Sequence, residues 1–266
     1  MPARASSPRV RLRPGVRVAR RGDGHLQVGL HPGERVVVAD REPVRRLLRA
    51  LAQGVDAAAS GPADQALVTR LADRGLLRPV DEVVWRRRLR QAVRVGVVAA
   101  EPARSAAAGA LAAAGLQIAE PRTTPVVVLH LTTGAEPRRE ELDEWMRQDR
   151  PHLPLTMLAG HTRLGPLVVP GLTACLRCVD EHLTDQDPRH PLVLAQHHDP
   201  DPADAPAPED LQLALAWATR DLITWVEGGR PTTWSSTLDL GPEGPVARTW
   251  SRHPRCGCAW GDALAG

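Results

Sequence analysis

The sequence of 266 residues contains no Lys, Asn, Phe or Tyr, and all 34 of its basic residues are arginine. A composition this biased is typical of a coding sequence rich in G and C, so it indicates no mechanism for arginine at any single position. The missing Phe and Tyr have a structural consequence, because the bulk of a core must then come from Leu, Val and the seven Trp residues.

A signal peptide and a membrane-spanning apolar run are also missing from the sequence. Their absence predicts a cytoplasmic protein with no membrane partner. Disulfide bonds are disfavoured in that reducing compartment. The length allows two modest domains or one large one, with ample apolar surface to bury.

The charge is unevenly distributed, although the formal net charge is only +3. Residues 1–94 carry 20 Arg against 9 acidic residues, a balance of +11, and residues 95–266 carry 14 against 22, a balance of −8. This division favours a basic module that attracts an acidic partner, joined to an acidic body. The alternative is that the arginines coat a solvated surface.

The four cysteines form two short-spaced pairs, Cys175-x-x-Cys178 and Cys256-x-Cys258, with 77 residues between the pairs. Two such pairs on turns can supply four thiolates to one tetrahedral Zn²⁺ ion. Four thiolates leave no open coordination position, so the zinc would be structural and would close the intervening segment into a loop. Buried free thiols or two disulfides are the alternatives.

The N-terminal stretch predicts a small winged-helix-like unit. A start rich in Pro and Arg is predicted to be disordered, and a hairpin signal at residues 22–24 separates the first two strands. Asp40 is a candidate N-cap for the first of two helices with apolar stripes. The predicted elements are strands at Val16–Ala19, Leu26–Leu30 and Arg35–Ala39, then helices at residues 43–54 and 62–74.

Two functions suit such a unit. A helix at Pro62–Arg74 could enter the DNA major groove, but its polar side mixes acidic and basic residues, whereas phosphate contacts need consistently basic positions. The other function is the binding of an acidic peptide as an additional strand beside Arg35–Ala39, with its side chains against the last helix. The valine-rich third strand favours the peptide.

The middle of the chain alternates strands and helices in a β-α-β order, which predicts a parallel sheet with helices on its faces. The strands are expected near residues 93–99, 126–131, 155–158 and 167–169, and the helices near 102–114 and 139–148. The first strand-to-helix turn, Ala99-Ala100-Glu101-Pro102, has no G-x-G-x-x-G loop. Glu101 would repel phosphate, so no nucleotide is expected.

The C-terminal part is predicted to run from the first cysteine pair into a helix, and then through a loop rich in Asp and Pro at Gln196–Glu209. His182 and His190 are expected to lie at the surface or to pack on helices, because four thiolates already saturate zinc. A helix at residues 211–225 and a two-stranded hairpin then lead to the second pair. Trp234, Trp250 and Trp260 are expected to form core around that hairpin.

The zinc-bearing part resembles a known family. Pro170-Gly171, the first cysteine pair, Asp185-x-Asp187-Pro188 and the closing Arg252-His253-Pro254-Arg255-Cys256-Gly257-Cys258 are similar to the ThiF-like partner proteins of thiazole/oxazole-modified peptide (bacteriocin-type) biosynthesis. The N-terminal unit resembles the winged-helix peptide clamp of that family. The resemblance implies an α/β protein with a peptide clamp at residues 1–82 and a degenerate ThiF-like, Rossmann-type domain with a structural four-cysteine zinc site at 83–266.

The resemblance further implies that the clamp binds the leader of a ribosomally made precursor peptide and presents it to a separate YcaO-type cyclodehydratase that makes azolines. A homodimer is a possible state. The zinc ligands would be Cys175, Cys178, Cys256 and Cys258, and the peptide-binding residues would be Arg35, Val36, Val37, Val38, Gln65, Val68 and Thr69.

The chain departs from the adenylating relatives, since it lacks the glycine loop, a lysine for phosphate and a spare cysteine for thioester chemistry. These departures favour a non-catalytic partner subunit that binds a peptide and activates another enzyme. The alternatives are an ATP-dependent ThiF-like adenylyltransferase that acts on a carrier protein or peptide and, less favoured, a winged-helix regulator that binds DNA.

Overall fold

A computed structural model describes residues 9–56, 61–158, 160–200 and 206–259. The chain divides into two compact units, Met1–Arg86 (unit 1) and Arg87–Gly266 (unit 2). Each unit has its own apolar core.

Unit 1 combines two small antiparallel sheets with two amphipathic helices. The strand orders are β5-β1-β6 and β2-β3-β4. Its elements, together with the helix that leads into unit 2, are β1 (Arg9–Leu12), β2 (Val18–Arg20), β3 (His25–Val28), β4 (Val36–Ala39), α1 (Glu42–Gln53), β5 (Val55–Asp56), α2 (Pro62–Asp73), β6 (Leu77–Pro79) and α3 (Glu82–Ala92).

The core of unit 1 arises from the helical and strand periodicities of the sequence. Leu47, Leu48 and Leu51 of α1 are buried together with Leu71 of α2 and Val28 of β3. Each fully buried Leu or Val side chain contributes about 1.5–3 kcal/mol. Burial of this apolar cluster against both sheets holds α1 and α2 in place.

Two predictions for unit 1 are wrong. Part of the start that was predicted to be disordered forms β1, because Val10 and Leu12 alternate with exposed arginines and turn inward at the strand period of two. The N-cap of α1 is Arg41 without a side-chain cap bond, while Asp40 accepts a hydrogen bond from Arg45 Nε. The sequence also predicts a turn at Asp56–Ser60 between the two helices, and residues 57–60 of it lie outside the described residues.

Unit 2 is built on a seven-stranded sheet of order β13-β12-β11-β10-β9-β7-β8. Its elements are β7 (Arg94–Val98), α4 (Ala103–Ala113), β8 (Gln117–Ile118), β9 (Val127–Thr133), α5 (Arg139–Arg147), β10 (His152–Leu158), β11 (His161–Leu164), α6 (Leu176–Gln186), α7 (His190–Ala195), α8 (Pro208–Val226), β12 (Ser236–Gly241) and β13 (Gly244–Thr249).

The sheet is mixed, so the prediction of a parallel sheet is correct only for part of it. Strands β8, β7, β9 and β10 run parallel, whereas β10–β11, β11–β12 and β12–β13 pair antiparallel. The connections β10–β11 and β12–β13 contain only a few residues, and a connection this short can join only antiparallel neighbours. The expected strand at 167–169 is reduced to isolated bridges at Leu167 and Val168.

The two faces of the sheet are covered differently. On one face, Leu129 of β9 packs in a large core with Leu111 of α4 and Leu222 of α8. On the other face, the buried His130 of β9 reaches Glu141 of α5 at 3.3 Å. Helices therefore lie on both faces, as the β-α-β order predicts.

A membrane-spanning helix is not found in the described part of the chain, where no helix has both the length and the apolar character needed to cross a bilayer.

Candidate functional site

The first cysteine pair sits at the start of α6. Cys175 is the N-cap residue of this helix, and Cys178 lies in its first turn. The second pair comes from a tight turn, because Cys258 belongs to a short 3-10 helix at Gly257–Ala259 and Cys256 precedes it. A helix start and a tight turn each aim two side chains in one direction, so the two pairs converge.

The four sulfur atoms form one compact cluster. The Cys175 and Cys178 Sγ atoms are 3.8 Å apart, Cys175 and Cys256 are 3.5 Å apart, and Cys178 and Cys258 are 3.3 Å apart. Thiolates at about 2.3 Å from a tetrahedral Zn²⁺ would be about 3.8 Å from each other. All four cysteines are free rather than disulfide-bonded, so the separations fit a metal-binding set.

Hydrogen bonds within the cluster shift the pKa values of its thiols in different directions. A hydrogen bond within the first pair raises the pKa of Cys175 and lowers the pKa of Cys178. The N-terminus of a helix also favours a thiolate electrostatically. The thiolate is therefore favoured at Cys178, and a cation bound by all four sulfur atoms would have to displace the proton that Cys175 keeps.

The turn that carries the second pair is held by a hydrogen-bonded support. The Cys256 N–H donates to the His253 carbonyl at 3.0 Å, and the buried His253 ring contacts Asp185 of α6 at 3.0 Å. Arg255 pairs with Glu181 at 2.9 Å and also with Asp185. The support fixes the second pair against the helix that carries the first, as metal sites require.

A second group, made of His182, Asp185 and His253, is also compact enough to hold a metal ion. Its hydrogen bonds argue against that use. His182 Nε2 lies 3.0 Å from the Ser251 carbonyl, which only accepts, so this nitrogen carries a proton. His253 Nδ1 accepts the Arg255 N–H, so Nε2 is the donor to Asp185. The Nε2 atoms of His182 and His253 both donate hydrogen bonds, so this group supports the turn that carries the second cysteine pair.

A cavity of about 490 Å³ opens beside the cysteine cluster and is lined by residues of both pairs, by Met146 of α5 and by the ion pair of Arg177 with Asp143. It gives a cation a path to the sulfur atoms. The cluster fits a four-thiolate metal site in its number of ligands, in the distances between its sulfur atoms, in its hydrogen-bonded support and in its access through the cavity.

Strand β4 of unit 1 forms an open edge of its sheet. The Asp40 N–H bonds to the Gly24 carbonyl, and the register Val36↔Val28 and Val38↔Leu26 follows from this pair. Because alternate residues of an antiparallel strand bond to the same neighbour, the backbone groups of the residues between them point outward. The outward residues are Arg35, Val37 and Ala39, and no described strand pairs with them.

The predicted peptide-binding residues fall in two groups. Val36 and Val68 are buried in the core of unit 1, and Val38 packs against it. Val37 is partly exposed, and its backbone points outward. Arg35, Gln65 and Thr69 are exposed to solvent.

Two arginines that the sequence reasoning missed link α2 to the open edge. Arg70 donates to the Val37 carbonyl at 3.2 Å, and Arg74 reaches the Gly33 carbonyl at 3.5 Å. Arg70 lies in α2 and Arg74 is its C-cap residue, so the two arginines are four residues apart and share a face of this helix. This i, i+4 spacing beside Thr69 is the sequence signal that could have identified them.

The turn between β7 and α4 is occupied by the chain's own carboxylate. Glu101 accepts a hydrogen bond from the Ser105 N–H at 3.2 Å, so its negative charge lies at the first turn of α4. A helix N-terminus is where a phosphate group would otherwise be favoured.

The other candidates from the sequence lie near the cysteine cluster or against the packed core. His190 starts α7 and lies 3.7 Å from Asp180, and Trp250 is buried beside the cysteine cluster. Trp234 packs against the sheet core. Trp260 and residues 201–205 of the expected loop lie outside the described residues.

No protein-family model matches the sequence, and no curated protein matches it. Solved structures match the fold. The heterocyclase TruD superposes with a TM-score of 0.73 at 20% sequence identity over 95% of this chain and 43% of its own. E. coli MccB with MccA gives a TM-score of 0.66 at 12% identity over 94% of this chain and 99% of its own.

The structural neighbours of this chain thus include the heterocyclase TruD and the microcin C7 biosynthetic enzyme MccB. A heterocyclase in complex with substrate and cofactor matches at a TM-score of 0.70 and 16% identity, over 95% of this chain and 40% of its own. The chain spans less than half the length of these heterocyclases. The resemblance stated from the sequence is confirmed at the level of the fold.

Proposed function

We propose that this protein binds the leader of a ribosomally made precursor peptide and presents it to a separate YcaO-type cyclodehydratase, which it activates. The open edge of β4 beside α2 carries the proposal. In this interpretation residues 1–82 are a winged-helix-like clamp, and residues 83–266 are a degenerate ThiF-like domain. The similarity to a heterocyclase solved with substrate and cofactor and to MccB solved with MccA supports a peptide partner.

Strand addition gives the binding mode. The outward N–H and C=O groups of Val37 would pair with the backbone of an extended peptide, and alternate peptide side chains would lie toward α2, where Gln65 and Thr69 are exposed. Backbone pairing supplies affinity, and the flanking side chains supply selectivity. The excess of arginine in residues 1–94 favours an acidic peptide.

The cysteine cluster is proposed to hold one structural Zn²⁺ ion. Four thiolates would fill the coordination sphere, so the metal would join α6 to the turn at Cys256 and Cys258 without taking part in chemistry. The thiols must stay reduced to bind zinc, which is consistent with a cytoplasmic location.

A non-catalytic role accords with the Glu101 carboxylate at the start of α4. The chain would then act by positioning a peptide for the partner enzyme. The partner would supply ATP and the cyclisation of Cys, Ser or Thr side chains to azolines.

A second candidate, an ATP-dependent adenylyltransferase, is favoured by one comparison. MccB has been solved with AMPCPP and MccA and matches this chain at a TM-score of 0.64. ATP–pyrophosphate exchange that depends on this protein and a peptide would support that activity over the scaffold.

The test uses a fluorescein-labelled leader of a precursor peptide encoded next to the gene, with labelled duplex DNA in parallel. Saturable leader binding by anisotropy is expected, with weak and salt-sensitive binding of DNA. The Val37 amide should exchange with solvent more slowly when the leader is bound, because its N–H gains a partner. Tight DNA binding without leader binding would contradict the proposal and favour a regulator.

A further inference from the structure

One outward backbone carbonyl on the open edge of β4 already accepts a hydrogen bond from a side chain of this chain. Arg70 of α2 donates to the carbonyl of Val37, and this carbonyl belongs to the outward-facing set of the strand. An incoming strand needs the same carbonyl to accept a peptide N–H. Arg70 and a bound strand therefore compete for one acceptor.

Displacement of Arg70 has an energetic consequence. The peptide N–H replaces the hydrogen bond at Val37, but the released guanidinium loses its acceptor. Arg35, Arg70 and Arg74 form no ion pair with a carboxylate among the described residues, so a released Arg70 has no carboxylate partner already in place. A peptide carboxylate would restore the lost hydrogen bond and add charge attraction.

The strand register gives the position of that carboxylate. Leu67, Val68 and Leu71 of α2 share a core cluster with Val36, so α2 lies on the sheet face to which Val36 points. Side chains of paired residues point to the same face, and successive residues alternate. The peptide residue paired with Val37 thus points away from α2, and a residue beside it points toward α2.

We propose that Arg70 is a latch on the β4 edge that selects extended peptides with an Asp or Glu next to the residue paired with Val37. This inference rests on the proposed function and adds a specificity residue to the site. It makes an unusual prediction, because loss of Arg70 should have opposite effects on two kinds of peptide.

The experiment selects 12-residue peptides from a phage-displayed random library on the full chain. Recovered peptides are synthesised with fluorescein in an acidic form and a matching amide form, with Asp or Glu replaced by Asn or Gln. Dissociation constants are measured for the wild type, Arg70→Ala and Arg49→Ala. Arg49 lies on α1, where it pairs with Glu42 at 2.7 Å, so its variant removes the same charge elsewhere.

The wild type should prefer the acidic form by about fivefold, the upper range for an exposed ion pair. In Arg70→Ala this preference should disappear, and the amide form should bind at least as tightly as to the wild type, because the Val37 carbonyl is free. Arg49→Ala should behave as the wild type does.

An acidic preference that persists in Arg70→Ala would overturn the latch while leaving strand addition intact. Selected peptides that do not slow exchange of the Val37 amide, or a selection that returns no binding peptide, would count against the strand-addition site itself and the latch with it.

Discussion

His152 at the start of β10 is 1% exposed, and its Nδ1 atom donates to the Arg150 carbonyl at 3.0 Å. Burial, with a smaller contribution from the nearby His130, lowers the pKa of His152 to about 4 from an ordinary value of 6.5. Burial also lowers the pKa of His130. The folded protein thus keeps both rings neutral at a pH where an unfolded chain would protonate them.

The pKa of His152 predicts acid destabilisation. Below pH 6.5 the His152 ring binds a proton in the unfolded chain, whereas in the folded chain it binds one only when the pH reaches about 4. The free energy of unfolding therefore falls as the pH falls through this window. The expected loss is about 1.4 kcal/mol per pH unit. His152→Gln should lose much of this slope in urea titrations followed by Trp fluorescence at pH 7, 6 and 5.

The partly exposed His161 on β11 provides the matched control, and His161→Gln should keep the slope of the wild type. Equal slopes in the wild type and His152→Gln would mean that His152 is protonated in the folded state.

Single residues were predictable where chemistry alone restricts their role. The cysteines were identified from spacing, and the structure brings all four together. Arg70 was not identified, because its role depends on the outward direction of the Val37 carbonyl. That direction is set by the register of β4 on β3, which no residue pattern in either segment specifies.

At the scale of elements, helices and buried strands were largely predictable from periodicity. The predicted helix at 139–148 corresponds to α5 at Arg139–Arg147, and the predicted helix at 62–74 corresponds to α2 at Pro62–Asp73. Short strands such as β11 at His161–Leu164 were missed, because four residues with three polar side chains give a weak signal and gain their stability from two neighbouring strands.

Strand β4 supports a prediction about proline. Val37→Pro removes the outward N–H that a bound peptide would use, but it breaks no bond to β3, so the unit should still fold. Leader binding should fall at least about tenfold, because the substitution removes one strand hydrogen bond and hinders close approach. Anisotropy with the labelled leader measures the loss.

Val18→Pro is the matched control, because β2 forms the opposite edge of the same sheet and its residue 18 lies between two residues whose backbones bond to β3. It should bind the leader as the wild type does. If only Val18→Pro lost leader binding, the peptide would have to bind at the β2 edge and not at the β4 edge.

At the scale of the whole molecule, the two cores explain how metal removal should act. The cluster around Cys175, Cys178 and Cys256 lies in unit 2, whereas every residue of the core of unit 1 lies before Arg86. Zinc removal should therefore unfold the surroundings of the cysteine cluster and leave unit 1 folded and able to bind the leader.

The measurement combines metal analysis with NMR spectra before and after chelation. Purified protein should carry close to one zinc ion per chain, Cys256→Ser should lose most of it, and His182→Gln should keep it because its Nε2 is a hydrogen-bond donor. Folded wild-type protein with almost no bound metal would contradict the zinc site.

The sequence separation of Cys178 and Cys258, 80 residues, also affects how the protein is made. At a synthesis rate of about 5–20 residues per second, the ribosome needs roughly 4–16 s to add the second pair after the first has been completed. During that interval α7, α8, β12 and β13 are still being produced, and the first two thiols have no partners. Closure of the cluster therefore reports that this part of the chain has been synthesised and has folded, and a nascent chain that stalls before Cys256 cannot complete it.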